Sequence, residues 1–450
     1  MTPQPARKWT GFAGAQTVQL GVAQLVSSRN EPLNQMAFYL GMATVFLQFS
    51  VLPQVTGYIF QTNLYLLYVI ALPAQLAMIV SGGFRRCFRA RPAHYWTAFG
   101  CWMWLICPFS SWRSTAVVST YAYWRSNLIM LFIMGAMLSE WSDIRKVMNV
   151  IATSAVVNVL CARFLRIDMG GRMGVALGTI GNPNDYAAHL LLVLPFLFWV
   201  VTAGKIVVSR IVALGCVCAG LYLVLATSSR GALLALAFDA VFWLLMGTGR
   251  QKAALVLLGP VAAMLLLATV PAASLRRLTE VWSGSVNNAE SKEAMESSQA
   301  RQYTLRTSIR YTFEHPLFGV GPAQFPLYEG MHEKVIGTHG YWHETHNSFT
   351  QASSECGIPG FIFFAGGTLS TLLLLLKTLR QASRRPGCED IRAAVFYITL
   401  GMVGFTVAIT FLNFAYFFYL PAMGGLAVGV WVAAQREFER REAPLNAGPA

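Results

Sequence analysis

Long apolar segments dominate the chain and constrain its fold more than any other feature. Runs able to cross a hydrocarbon core of about 30 Å recur from Met36 to Ala434, with short polar loops between them. Only 12% of the 450 residues are charged and 55% are hydrophobic, too little polar surface for a soluble globule. We predict an all-α polytopic membrane protein with about twelve spans. They are placed at 36–54, 58–81, 93–112, 123–140, 146–164, 185–203, 207–226, 232–247, 253–271, 357–376, 393–412 and 414–434.

Basic residues occur in alternate loops between these spans, as at Arg85–Arg91, Arg145–Lys146, Arg250–Lys252 and Lys377–Arg385. The positive-inside rule places those loops and both termini in the cytoplasm. The formal net charge of +14 therefore reflects membrane topology, and we expect no binding to nucleic acid.

The other loops are then expected to face outward, and one of them is long. We predict three parts: residues 1–271 with spans one to nine, a periplasmic loop at 272–356 with short helices and the catalytic motif, and residues 357–450 with spans ten to twelve. A loop of that length in a tight bundle is usually functional. Functional residues are therefore expected in the outward loops.

Two arginines lie in outward loops, where positive-inside bias disfavours them. Arg172 precedes a turn rich in Gly, Asn and Pro that ends at Asp185, and Arg230 lies in the short turn Thr227–Gly231. A planar guanidinium suits an anionic partner such as phosphate, which it contacts with two donors. The alternatives are anchoring to lipid headgroups for Arg172, and a lipid headgroup or an acidic residue within the bundle for Arg230.

Histidines cluster in the last part of the long loop. Ser348 and Gln351 have the spacing of a capping box, which predicts that a helix begins at Ser348. His346 would then lie just before a helix N-terminus, where the positive end of the helix dipole favours a neutral ring that can accept a proton. A surface hydrogen-bonding histidine is the alternative interpretation.

A metal site is the other alternative for this segment, because His339, His343, Glu344 and His346 fall within eight residues. The segment His343–His346 is one residue short of the H-E-x-x-H motif, in which both histidines share one helix face. We therefore predict no metal and no other cofactor.

A helix is predicted upstream of the histidines, at Gln299–His315. Leu305, Ile309 and Phe313 recur on one face, and Arg306 with Arg310 on another. Pro316 ends the pattern, and a tight turn follows at Gly319–Pro322.

In this order the pieces resemble the O-antigen ligase-like superfamily, which includes Wzy-type polymerases and bacterial O-oligosaccharyltransferases. The pieces are Arg172 before Pro183-Asn184, Ser229-Arg230-Gly231, Arg306 with Pro316–Gly321, and His346-Asn347-Ser348 followed by Glu355–Ile358. The resemblance implies a fold similar to the GT-C glycosyltransferases. It also implies inverting transfer of a glycan from undecaprenyl pyrophosphate to an acceptor hydroxyl, on the periplasmic face of the bacterial inner membrane, without a metal.

The same resemblance assigns roles to residues. His346 is expected to be the general base, and Arg172 and Arg230 are expected to hold the pyrophosphate. Arg306, Asn347 and His343 are further candidates, with Asn347 positioning His346.

The acceptor decides between members of the superfamily. A single long loop favours a ligase that uses a lipid A-core sugar, with anionic membrane lipids around the protein. A polymerase and a protein O-oligosaccharyltransferase are the alternatives within the superfamily. A flippase or transporter is the alternative from another class, and it predicts inverted repeats and ionisable groups at mid-membrane. Apart from Asp239, the spans are nearly free of acidic residues, which disfavours a transporter.

Overall fold

The computed structural model describes residues 32–62, 65–80, 83–165, 167–168, 172–175, 180, 182–270, 275, 289–336 and 340–446. These residues are mostly helical, and each of the twelve predicted spans contains a helix, which confirms a helical polytopic architecture. The α-helices are α1 (Pro32–Ser50), α2 (Leu52–Phe60), α3 (Leu66–Val80), α4 (Phe84–Cys87), α5 (Arg91–Ile106), α6 (Arg113–Ala122), α7 (Ile129–Met137), α8 (Trp141–Leu165), α9 (Pro183–Ala203), α10 (Val207–Ala226), α11 (Arg230–Met246), α12 (Gly249–Thr269), α13 (Ala289–Glu314), α14 (Phe325–Val335), α15 (Ser348–Ser383), α16 (Glu389–Ala408) and α17 (Tyr419–Asn446). Short 3₁₀ helices lie at Cys107–Phe109 and Ile409–Phe411, and a π-helix lies at Tyr123–Leu128.

The number of spans is lower than predicted when length and apolarity are both required. Among the described residues, six helices are long and apolar enough to cross a membrane, and a seventh span results if the bent pair α1 and α2 counts as one. Several other predicted spans correspond to short helices, such as α3 with 15 residues and α5 with 16. The helices were therefore predicted correctly, whereas the count of twelve spans is not confirmed.

Two short strands make the chain not strictly all-α. Strand β1 (Ile167–Asp168) pairs antiparallel with β2 (Met173–Gly174), with Ile167 opposite Gly174. Arg172 directly precedes β2, so the strand pair fixes the backbone from which this arginine extends.

The long loop also differs from the prediction of short helices. Helix α13 has 26 residues and begins ten residues before the predicted start at Gln299, whereas α14 has 11 residues. The apolar side chains Leu305, Ile309 and Phe313 are exposed on α13, so this face is open to a membrane surface or a partner.

The basic loops meet at one end of the bundle. Arg436 donates a hydrogen bond to the Ser139 carbonyl oxygen at 2.9 Å, and Arg392 donates one to the Met246 carbonyl oxygen at 3.1 Å. The first contact joins the loop after α7 to the C-terminal helix α17, and the second joins the end of α11 to α16. The alternation of charge along the sequence thus corresponds to one shared end in the structure.

Close approach of helices stabilises the bundle where small residues permit it. A Cβ at Gly425 would lie 2.3 Å from the Leu131 carbonyl oxygen, and one at Gly429 would lie 2.6 Å from Leu138 Cβ. Spacing of small residues by four brings helix backbones together in membranes, where association depends on packing and not on expelling water. Helices α7 and α17 therefore form a tight pair in the core.

Candidate functional site

The first turn of α15 places His346, and Asn347 caps that turn. The Asn347 side-chain oxygen accepts hydrogen bonds from the backbone N–H groups of Phe349 at 2.9 Å and Thr350 at 3.1 Å. Such a cap satisfies donors that the first turn of a helix leaves unpaired. His346 therefore directly precedes the capping residue.

The capping-box interpretation of Ser348 and Gln351 was wrong, although the helix begins where it predicted. The Ser348 hydroxyl donates to the Leu412 carbonyl oxygen at 2.7 Å and accepts from the Phe414 N–H at 2.8 Å. The Gln351 side chain accepts from the Ala415 N–H at 3.2 Å. Both side chains thus bind the helix start to the segment 412–415, which follows the 3₁₀ helix at Ile409–Phe411.

His346 is half-buried and its backbone has a φ of 51°, in the left-handed region. Burial, together with the weaker electrostatic effects of Arg301 and His343, lowers the pKa of its imidazole to about 4. The ring is consequently neutral near pH 7 and holds a lone pair that can accept a proton. The causes are burial and neighbouring cations, whereas the sequence had suggested the helix dipole.

Arg301, which does not stand out in the sequence, is near enough to His346 for its positive charge to act on the imidazole. One turn further along α13, the Thr304 hydroxyl lies 3.5 Å from the Thr345 carbonyl oxygen, so this face of α13 packs beside the residue before His346. The Arg301 charge acts on both His346 and Asp185. It therefore links the histidine to the start of α9.

Asp185 is buried, with 8% of its surface exposed, three residues after the Asn182 that caps α9. Its Oδ2 accepts a hydrogen bond from the Asn182 side chain at 2.7 Å, and among the described residues its Oδ1 has no hydrogen-bond partner. A buried carboxylate is stabilised by a nearby cation. Asp185 therefore adds a buried acidic group near Arg301 at the start of α9.

Arg306 occupies a different face of α13. It is exposed and lies two residues after Thr304, and side chains two apart on a helix do not face the same direction. The structure thus does not bring Arg306 to His346. The sequence provides no reason to prefer Arg301 to Arg306, because the face of α13 that contacts Thr345 is polar.

Arg172 joins two of the predicted loops. Its Nε donates to the Thr227 carbonyl oxygen at 2.9 Å, and its Nη2 donates to the Asn184 side-chain oxygen at 2.7 Å. Asn184 belongs to the Pro183-Asn184 turn, and Thr227 begins the turn that contains Arg230. Two donors of Arg172 are therefore engaged in fixing these turns relative to each other.

Arg230 is the first residue of α11 and is exposed. Ser229 caps the helix by accepting from the Ala232 N–H at 3.4 Å. A Cβ at Gly231 would lie 3.0 Å from the Phe411 ring, so the turn packs against the 3₁₀ helix that leads into the segment 412–415. The arginine turn and the start of α15 therefore adjoin the same short segment.

Two carboxylates flank the backbone that leads to His346. Glu329 is fully buried and accepts hydrogen bonds from the Trp342 N–H at 2.8 Å and the Tyr303 hydroxyl at 3.0 Å. Burial raises the pKa of Glu344, and a hydrogen bond with the Asn413 side chain opposes that rise. Glu329 was not selected from the sequence, since a lone Glu within a helix gives no signal of a loop contact.

His343 is exposed and is near enough to His346 to contribute to the lowered pKa of that ring. His339 lies outside the described residues. Among the residues that the structure describes, no three His, Cys, Asp or Glu side chains come together as metal ligands. The absence of a metal from the reaction stays a prediction.

The segment Pro316–Gly321 packs along α15 at its kink. The Val320 N–H donates to the Ser354 carbonyl oxygen at 2.9 Å, and the Ile358 N–H donates to the Pro316 carbonyl oxygen at 2.8 Å. Gly357 has a φ of 72°, and a Cβ there would lie 2.2 Å from the Leu317 carbonyl oxygen. This motif is therefore part of the scaffold that fixes the helix start.

Residues 214–365 match the family model of O-antigen ligase. The match supports the O-antigen ligase-like superfamily, to which the motifs are similar, and a glycan-transferring enzyme of ligase or polymerase type. It includes Arg230, Arg301 and His346, whereas Arg172 lies before it. No curated protein matches the chain.

Proposed function

We propose that this chain transfers a glycan from undecaprenyl pyrophosphate to an acceptor hydroxyl on the periplasmic face of the bacterial inner membrane. The observation that carries the proposal is a neutral, half-buried His346 beside Arg301, within the segment that matches O-antigen ligase. A base next to a cation is the arrangement that transfer from an anionic leaving group requires.

In the proposed reaction, the His346 imidazole accepts the proton of the acceptor hydroxyl. The hydroxyl oxygen forms a bond to the anomeric carbon while the bond from that carbon to the pyrophosphate oxygen breaks, with inversion. The bonding electrons remain on undecaprenyl pyrophosphate, which leaves. Pyrophosphate needs no protonation to depart, so the reaction requires neither a general acid nor a metal.

The three arginines are assigned different roles, either in binding the pyrophosphate or in positioning the turns around it. Arg230 is exposed at the start of α11, where the positive helix terminus also favours an anion. Arg301 is near enough to His346 for its charge to lower the pKa of that ring. Arg172 already donates to Thr227 and Asn184, so its main role is expected to be positioning of the two turns.

Donor binding is also expected to strengthen the base. The positive charge of Arg301 lowers the pKa of His346, and a bound pyrophosphate would offset that charge. The pKa of His346 then rises towards the operating pH only when the donor is in place, which makes proton transfer more favourable. This coupling predicts that the donor binds before the acceptor reacts.

The positions of the basic loops support a periplasmic location for the end of the bundle that contains His346 and Arg230. Arg436 and Arg392 lie at the opposite, shared end that the positive-inside rule assigns to the cytoplasm. We place the end with His346 and Arg230 in the periplasm on that basis.

The acceptor is proposed to be a lipid A-core sugar, and the glycans of a deletion strain test it. A ligase predicts lipid A-core without O-antigen together with accumulated long polymer on undecaprenyl pyrophosphate. Accumulation of single lipid-linked repeat units would show a polymerase instead. Unchanged glycans together with under-glycosylated periplasmic proteins would show an O-oligosaccharyltransferase.

A further inference from the structure

Arg125 lies in the middle of an unbroken helical stretch that the proposed reaction does not use. Helix α6, the π-helix Tyr123–Leu128 and α7 follow one another without interruption from Arg113 to Met137. Arg125 is the third residue of the predicted span 123–140, about 3 Å of helix from the end of that span predicted to face outward, which is the depth of lipid phosphates. π-Helical turns are often found at functional sites.

The Arg125 side chain faces away from the interior of the bundle. Two residues earlier, Tyr123 is buried against Phe99 and Tyr416, at ring distances of 5.7 and 6.3 Å. Positions two apart on a helix point in nearly opposite directions. Arg125 is accordingly exposed at the periphery, where lipid would surround the protein.

Two aromatic rings hold the guanidinium there. Arg125 lies 4.7 Å from the centre of the Tyr68 ring and 5.3 Å from that of Tyr121, distances at which a cation is attracted to the ring faces. Within the part of the chain that the structure describes, Arg125 makes no hydrogen bond and no ion pair. Its N–H donors are thus oriented but unused by the described protein.

A shallow groove beside Arg125 lies between α3 and the helical stretch 113–137. Leu67 and the exposed Leu72 form its apolar side, and Gln75 and Ser126 add polar groups. A charged side chain facing lipid is unfavourable unless it finds a partner, and a guanidinium contacts a phosphate with two parallel donors. Apolar walls beside such a cation match a molecule with a phosphate and hydrocarbon chains.

We propose that this groove binds an anionic membrane phospholipid, with Arg125 contacting its phosphate and the acyl chains lying along Leu67 and Leu72. The ligand is assigned as a phospholipid and not the glycan donor, because Arg125 faces the surrounding bilayer and Tyr123 faces the interior. Tyr68 is assigned the role of fixing the guanidinium.

Native mass spectrometry of the full-length protein can test this site. The protein would be delipidated in detergent and titrated separately with phosphatidylglycerol, phosphatidylethanolamine and undecaprenyl diphosphate. Arg125→Gln should weaken phosphatidylglycerol retention by about tenfold to a hundredfold, the effect expected for lost charge-assisted hydrogen bonds. Arg113→Gln, an exposed arginine at the start of the same stretch, is the matched control and should retain the lipid like the wild type.

Equal retention by the wild type and both variants would overturn the proposal. So would binding at Arg125 of undecaprenyl diphosphate alone, which would assign the groove to the donor. If Arg125→Gln fails to fold, Arg125→Lys replaces it, and unchanged retention in that variant would rule out the two-pronged contact. Lipid retention is measured without glycan transfer, so its outcome bears on this groove alone.

Discussion

Replacing Arg301 by Gln tests whether Arg301, whose charge acts on His346, takes part in the reaction. The sequence had suggested Arg306 instead. The substitution removes a positive charge next to His346 and keeps a polar side chain of similar length. Two changes are expected: weaker stabilisation of the pyrophosphate, and a higher pKa for His346, because the Arg301 charge lowers that pKa in the native protein.

The structure bounds the size of the second change. The pKa of His346 is about 4 against an ordinary value of 6.5, with burial as the largest cause and Arg301 next. Burial persists in Arg301→Gln, so the new pKa should lie between these two values. The base works in its neutral form, and the acidic decline of kcat/KM should therefore move to higher pH. At pH 7, lost hydrogen bonds to the pyrophosphate cost about 1.5–3 kcal/mol, or roughly tenfold to a hundredfold in rate.

The assay is transfer from a synthetic lipid-linked donor to purified lipid A-core, with kcat/KM measured from about pH 5 to pH 8. Arg306→Gln is the matched control, since Arg306 is exposed on another face of the same helix. Thermal unfolding must show that both variants fold, because Arg301 also lies near the buried Asp185. The reasoning is refuted if Arg301→Gln keeps the wild-type profile, or if Arg306→Gln loses as much activity.

Three further predictions concern the same reaction. His346→Ala should lower turnover by about a hundredfold or more, whereas His94→Ala, which changes an exposed histidine near the start of α5, should not. Near-normal transfer by His346→Ala would refute its assignment as the base. Arg230→Lys should weaken donor binding by about tenfold to a hundredfold, because Lys lacks the planar guanidinium that contacts phosphate with two donors. Arg172→Lys should lose activity mainly because the two turns that Arg172 connects are displaced. Wild-type values for both variants would show that these arginines only anchor the protein to lipid headgroups. Transfer should survive EDTA, and loss that zinc or manganese restores would show a metal site.

The sequence predicted the helices well because each was a long apolar run. The span count could not be predicted as reliably, since bends and breaks depend on packing. The predicted span 36–54 runs past the break at Val51, where α2 departs from the direction of α1 by 66°. The π-helix at Tyr123–Leu128 gave no signal either. Periodicity reports which residues are apolar, and not where a helix bends.

The candidate site was predicted in part for a related reason. His346, Arg172 and Arg230 were selected by loop position, which charge alternation along the chain supplies. Choosing Arg301 over Arg306 required knowing which face of α13 packs against Thr345. That face is formed by hydroxyl groups, so a hydrophobic pattern could not reveal it.

The motifs themselves divide into chemical and architectural ones, a division that spacing alone cannot make. Gly357 and the segment Pro316–Gly321 fix the kink of α15 through backbone contacts such as Ile358 N–H to the Pro316 carbonyl oxygen at 2.8 Å. Ser348 fixes the same helix start from the other side, at Leu412. His346 lies at the junction that both sets of contacts hold, and its left-handed backbone depends on that support. In the proposed reaction, the scaffold residues therefore contribute through the placement of one imidazole.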